Sequence, residues 1–146
     1  MNRQVKEASI QIRQVSHEYE IAQSQRKERF GRFLERLRYN LDMYYKTLSG
    51  DDTAQAFLMS DNEEEPYLGS IHFSCIAPGK RFQQMDNMSG GERCLAVFAL
   101  IYSCYAHQPP CFFILDEIDG SLDNENIVKV CLIVVTVGKR NNVTYL

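Results

Sequence analysis

Through the first 48 residues, apolar side chains recur at alternating spacings of three and four. Val5, Ala8, Ile12, Val15 and Tyr19 form one run, and Phe30, Phe33, Leu37, Leu41, Tyr44 and Leu48 form a second. A polar stretch, Gln23 to Lys27, separates them. No proline and a single glycine, Gly31, occur in this segment. The spacing predicts one long helix with a coiled-coil seam, and the larger aromatic residues of the second run predict docking onto a globular body. Ser49, Gly50, Asp51 and Asp52 then supply a stop signal.

Beyond the stop the period changes to two. Ala54 to Met59 and Tyr67 to Ala77 read as strands, with Ile71, Phe73 and Cys75 alternating against His72 and Ser74. Between them lies Asp61, Asn62, Glu63, Glu64, Glu65 and Pro66, which predicts a hairpin with an acidic tip. That tip lacks the spaced ligands and turn glycine of a calcium loop, so a solvated surface loop without chemistry is expected. From Ser89 the order becomes helix to His107, strand from Cys111 to Leu115, turn, and a further segment from about Asn124. Such alternation predicts an α/β layer with a mostly parallel sheet.

Composition narrows the classes. A chain of 146 residues with 45% hydrophobic content fits one soluble domain. A net charge of −3 gives no overall drive toward nucleic acid or an anionic membrane. Five cysteines, odd in number and without a C-x-x-C pair, favour a reducing interior such as cytosol or nucleus. The apolar tract Val130 to Val137 is too short to span a bilayer, and the polar residues after Met1 lead to the expectation of no secretory signal.

Two motifs carry candidate chemistry. In Met88-Ser89-Gly90-Gly91-Glu92-Arg93, Ser89 can cap a helix while Glu92 reaches back to the cap N–H. With no side chains at Gly90 and Gly91, backbone N–H groups at the positive end of the helix dipole can approach a phosphate closely; a well-capped helix is the bland alternative. In Cys111-Phe112-Phe113-Ile114-Leu115-Asp116-Glu117, an apolar run ends in two carboxylates. Asp116 is placed to hold Mg²⁺ through its water shell, and Glu117 to take a proton from an attacking water; the start of a turn is the alternative.

In this order, and followed by Ser121-Leu122-Asp123, these motifs resemble the signature motif, Walker B and D-loop of ATP-binding-cassette ATPases. The stretches Glu64 to Leu68, Ala77 to Phe82, Met85 to Glu92 and Leu115 to Asp119 resemble, within that superfamily, the structural maintenance of chromosomes proteins, in particular the cohesin subunits of type 1. Met88, Arg93 and Gly120-Ser121 are mild departures from that pattern.

The resemblance implies the C-terminal lobe of an ATP-binding-cassette-type (P-loop NTPase) head, entered by a coiled-coil arm helix. Residues 1–48 would be the end of the arm and 49–146 the lobe, with the tail 131–146 unassigned. It implies a head that uses ATP and Mg²⁺, with Glu117 catalytic and Asp116 on the metal. Ser89, Gly90 and Gly91 would contact the γ-phosphate of nucleotide held by a partner head, and Ser121 and Asp123 would line the interface. It further implies pairing with structural maintenance of chromosomes protein 3 and a kleisin, chromosomal DNA reached through the complex, and a place on the chromosome in the nucleus. The G-x-x-x-x-G-K-[ST] loop is missing, because Gly79-Lys80 and Gly138-Lys139 are each followed by arginine. A fragment or partial gene model, inactive alone, is therefore expected. The rivals are a non-catalytic kleisin-docking lobe and the head of another such ATPase, of condensin or repair type. Arg29, Arg32 and Arg36 read as a solvated arm face that could touch DNA phosphate, and His17, His72 and His107 have no assigned function.

Overall fold

A computed structural model of the protein describes residues 3–110 and 120–141. The two apolar runs form a single 47-residue helix, α1 (Arg3–Ser49), about 70 Å long at 1.5 Å per residue. Its two halves meet different surroundings. Val5, Ile12, Val15 and Tyr19 are all exposed, whereas Leu37, Leu41, Tyr44 and Leu48 are buried. Leu34 and Tyr45 are buried as well, which widens the narrow seam into the broader stripe that a helix lays on a globular core. At the end of α1, Gly50 adopts φ +68° and donates its N–H to the Lys46 carbonyl at 2.9 Å, the left-handed cap that glycine permits. Asp51 then folds the next turn, its carboxylate accepting from the Thr53 N–H at 2.7 Å and hydroxyl at 2.6 Å.

The predicted hairpin is present as β1 (Gln55–Ser60) and β2 (Ile71–Ile76), antiparallel, with Ala56 opposite Cys75 and Leu58 opposite Phe73. That register puts Ala56, Leu58 and Cys75 on the core face. A two-residue strand, β3 (Gln83–Gln84), absent from the sequence expectation, pairs antiparallel with Ser74 and Cys75. Two polar stitches tie α1 to β1. Arg38 donates to the Leu58 carbonyl at 2.8 Å, and Asp42 accepts the Ala56 N–H at 3.2 Å while pairing with Lys46 at 2.6 Å.

The acidic tip is the solvated loop expected, with Asp61, Glu63 and Glu64 exposed, but Glu65 also ties it to the arm. Glu65 bonds Gln23 of α1 and accepts the Tyr67 hydroxyl at 2.7 Å; the Arg26 guanidinium lies 4.4 Å from the Tyr67 ring centroid, and Phe30 meets that ring edge-on. The polar stretch Gln23 to Lys27 that breaks the seam is thus where the hairpin tip seats on the arm. His72 pairs with Asp61 at 2.8 Å, and His107 packs edge-on to Phe33, so both have structural partners. Arg32 pairs with Glu28 along the exposed helix face.

After one 3₁₀ turn at Met85–Asn87 the chain enters α2 (Gly90–His107). This helix packs on α1 through Leu95, Phe98, Ala99 and Tyr102, with the Tyr44 and Tyr102 rings 6.1 Å apart. The last helix, α3 (Asn124–Asn141), docks Val130 and Ile133 into the same core, and the Tyr102 hydroxyl reaches the Val130 carbonyl at 3.4 Å. The start of the tail left unassigned from the sequence, the β-branched stretch from Cys131 to Asn141, therefore continues a helix. Its helical penalty is only a few tenths of a kcal/mol per residue, and packing on α2 outweighs it. All strand pairing among the described residues is antiparallel. The strand Cys111 to Leu115, on which the parallel-sheet expectation rested, lies outside the described residues. Among the described residues no helix is long and apolar enough to cross a membrane.

Candidate functional site: the glycine start of α2

The start of α2 is held from three directions. Ser89 has an extended backbone (φ −62°, ψ 160°); its hydroxyl accepts the Glu92 N–H at 3.3 Å, and Glu92 accepts the Ser89 N–H at 3.0 Å. The predicted capping box is therefore complete. Arg93 braces the segment from behind, donating to the carbonyls of Met85 and Asp86 at 3.1 Å each and of Met88 at 3.4 Å. Lys80 closes the third side with an ion pair to Glu92 at 2.7 Å. Lys80 beside it, with the Ser89 N–H and hydroxyl, holds the Glu92 carboxyl below the usual range, although partial burial works in the opposite direction.

Ser121 is brought next to the glycines although it lies 30 positions further on. A Cβ on Gly91 would sit 3.2 Å from the Ser121 carbonyl oxygen, and one on Gly90 would sit 3.9 Å from the Ser121 Cβ. Gly91 is therefore small because another backbone occupies its flank, while Gly90 is open. Three of the five predicted contact residues, Ser89, Gly90 and Gly91, are consecutive at one helix end, with Ser121 against them. Asp123 has a different job locally. It caps α3, its carboxylate accepting the Asn126 N–H at 2.8 Å and its carbonyl the Ile127 N–H at 3.0 Å. Asp116 and Glu117 lie outside the described residues.

Chemically, a helix start with capped, glycine-bare first-turn amides fits an anion such as a terminal phosphate. No group of three or more His, Cys, Asp or Glu side chains that could hold a metal is present among the described residues. Lys80, Arg93 and the seat of Ser121 escaped the sequence reading. The first had a signal, since Ala77-Pro78-Gly79-Lys80 forms a tight turn, with Gly79 at φ +67° and the Lys80 N–H bonded to the Ala77 carbonyl at 3.0 Å.

The family model described as the RecF/RecN/SMC N terminal domain matches residues 2–143, nearly the whole chain. The chain belongs to the SMC family. Structural maintenance of chromosomes protein 1B of Mus musculus is 47% identical over 113 residues, which are 77% of this chain and 9% of that protein. This SMC chain thus spans about a tenth of the length of that relative. Among solved structures, the Smc head domain with an extended coiled coil bound to the C-terminal domain of ScpA, from Pyrococcus furiosus, superposes with a TM-score of 0.85 at 25% identity. That match covers 92% of this chain and 33% of the other. A structure reported under the structural biochemistry of ATP-driven dimerization and DNA-stimulated activation of SMC ATPases matches with a TM-score of 0.66 and 27% identity, over 77% of this chain and 67% of that one. The described helices and sheet are accordingly those of an SMC ATPase head lobe entered by its coiled-coil arm.

Proposed function

We propose that this chain is the C-terminal half of a cohesin-type SMC head, which hydrolyses ATP only when joined to the lobe bearing the phosphate-binding loop and to a partner head. The observation that carries the reading is the start of α2, where a complete capping box presents the open side of Gly90 with Ser121 packed alongside. The family model is described by an N-terminal domain, whereas the C-terminal assignment rests on the order of Ser89 to Glu92, Asp116-Glu117 and Ser121 to Asp123, and on the missing G-x-x-x-x-G-K-[ST] loop.

Bound ATP with Mg²⁺ would supply the phosphoryl group and the neutralising charge. In this reading Ser89, Gly90 and Gly91 bind the terminal phosphate presented by the partner head. Glu117 would accept the proton of the attacking water, Asp116 would hold the metal, and Ser121 and Asp123 would line the interface. Phosphoryl transfer depends on positioning and charge stabilisation, so half of such a site gives almost no rate. The relative's name supports type 1 of the family, and with it a place on the nuclear chromosome in sister chromatid cohesion. The ScpA complex of a structural neighbour supports a kleisin partner. Structural maintenance of chromosomes protein 3 is the partner head, and DNA is engaged through the assembled complex.

The test is ATP-dependent association in a head assembled from this chain, the lobe with the nucleotide loop, and the partner head. Ser89→Arg places a long side chain where the phosphate must sit and is expected to abolish association seen by light scattering, with circular dichroism unchanged. Association at the parental level would return α2 to the role of a well-capped core helix. Glu117→Gln is expected to keep the heads associated while slowing hydrolysis about 100-fold or more.

A further inference from the structure

A capping box with glutamate creates a conflict at this helix start. The carboxylate that stabilises the first turn places a negative charge at the end where a nucleotide phosphate is to bind. In the structure the two oxygens of Glu92 are divided between two tasks: Oε2 takes the Ser89 N–H and hydroxyl, and Oε1 takes the Lys80 ammonium at 2.7 Å. The nearby cation on the helix itself is directed elsewhere, because the Arg93 guanidinium bonds the carbonyls of Met85, Asp86 and Met88. Lys80 is aimed by its backbone, since it closes the Pro78-Gly79 turn whose glycine sits at φ +67°.

We propose that Lys80 is a positioning residue for nucleotide-dependent head pairing. It neutralises the capping carboxylate of Glu92, whose Oε2 holds the Ser89 N–H, and so lifts the negative charge that would repel an anion from the Gly90 and Gly91 amides. This rests on the reading of α2 as the phosphate contact. Two separable requirements follow. The cap needs an acceptor at position 92, which glutamine also supplies. The positive charge at position 80 is needed only while position 92 is negative.

The experiment is a double-mutant cycle on the assembled head, reading the Mg-ATP concentration that half-saturates head association. Lys80→Ala is expected to raise it about tenfold, as for a like charge left beside an anion site, and Lys80→Arg to stay near the parent. Adding Glu92→Gln to Lys80→Ala is expected to recover most of the loss, because the charge that needed neutralising has gone. A lysine that merely anchored its loop would not be rescued in this way. Where Lys80→Ala loses the fold by circular dichroism, Lys80→Met keeps the aliphatic stem and serves in its place. A double variant as weak as Lys80→Ala, or a Lys80→Ala equal to the parent, overturns the proposal. Ser89→Arg in parallel separates the levels. Loss with Ser89→Arg alone overturns only the role of Lys80, and no loss with Ser89→Arg overturns the phosphate reading along with it.

Discussion

The two halves of α1 carry the same three-and-four spacing of apolar residues and have opposite fates. From Val5 to Tyr19 the seam faces solvent; from Leu34 to Leu48 it is closed against β1 and α2. Periodicity therefore specifies a helix and an apolar face but not the partner of that face. What separates the halves in the sequence is side-chain size and local polarity. The docked half carries Phe30, Phe33, Tyr44 and Tyr45, and the polar break between the halves meets the hairpin tip through Gln23 and Arg26.

The largest test of the contrast is a truncation in each half. Leu41 is fully buried, and Leu41→Ala is expected to destabilise the folded chain by about 2–5 kcal/mol in urea unfolding. Ile12→Ala, at a 65% exposed position of the same seam, is expected to change it by under about 0.5 kcal/mol. Equal effects would mean that the free half has a partner in solution.

Next in size is the stitch between arm and sheet. Asp42→Ala leaves the Ala56 N–H without its acceptor and is expected to cost about 1–2 kcal/mol by the same measurement. Gly31 lies between the two regimes, and a Cβ there meets nothing within 4 Å. Gly31→Ala is expected to stabilise by about 0.5–1 kcal/mol, read as a raised urea midpoint at unchanged slope. A destabilising result would show that the helix has to bend at that point.

The smallest effect is acid release of the hairpin tip. The hydroxyl of Tyr67 and the amide of Gln23 hold the Glu65 carboxyl below its usual range. A depressed value means that the contact contributes fully above the unfolded glutamate pKa of about 4.3, and that this is lost as pH falls through the lower folded value. Amide hydrogen exchange across residues 20–30, corrected for the intrinsic pH dependence, is expected to lose protection in that window. The same pH change should leave residues 5–19 unaltered, because among the described residues their apolar seam is exposed rather than docked.

Much of the fold was legible from local signals. The helix α1, its stop at Gly50, the hairpin and the capping box at Ser89 each follow from spacing or from a residue with one special conformation. Two features lay beyond those signals for one shared reason. The bond that ties the solvated acidic tip to the arm, and the helix through the start of the tail left unassigned, depend on contacts, which override local preferences such as charge and β-branching. Glu65 found Gln23 some 40 residues away, and Val130 and Ile133 found α2.

The candidate site divides along the same line. By itself the sequence determined that Ser89 would cap, that Glu92 would answer it, and that Gly90 and Gly91 would leave their amides bare, since all of this occurs within one helical turn. Only the tertiary structure decided that Lys80 neutralises Glu92, that Arg93 ties the helix to the preceding turn, and that the Ser121 backbone lies against Gly91. It also gave Asp123 a cap to make at the start of α3. The physical reason is range. Caps and turns are fixed by bonds spanning three or four residues, whereas ion pairs and close backbone approaches depend on where the sheet and helices set distant segments down.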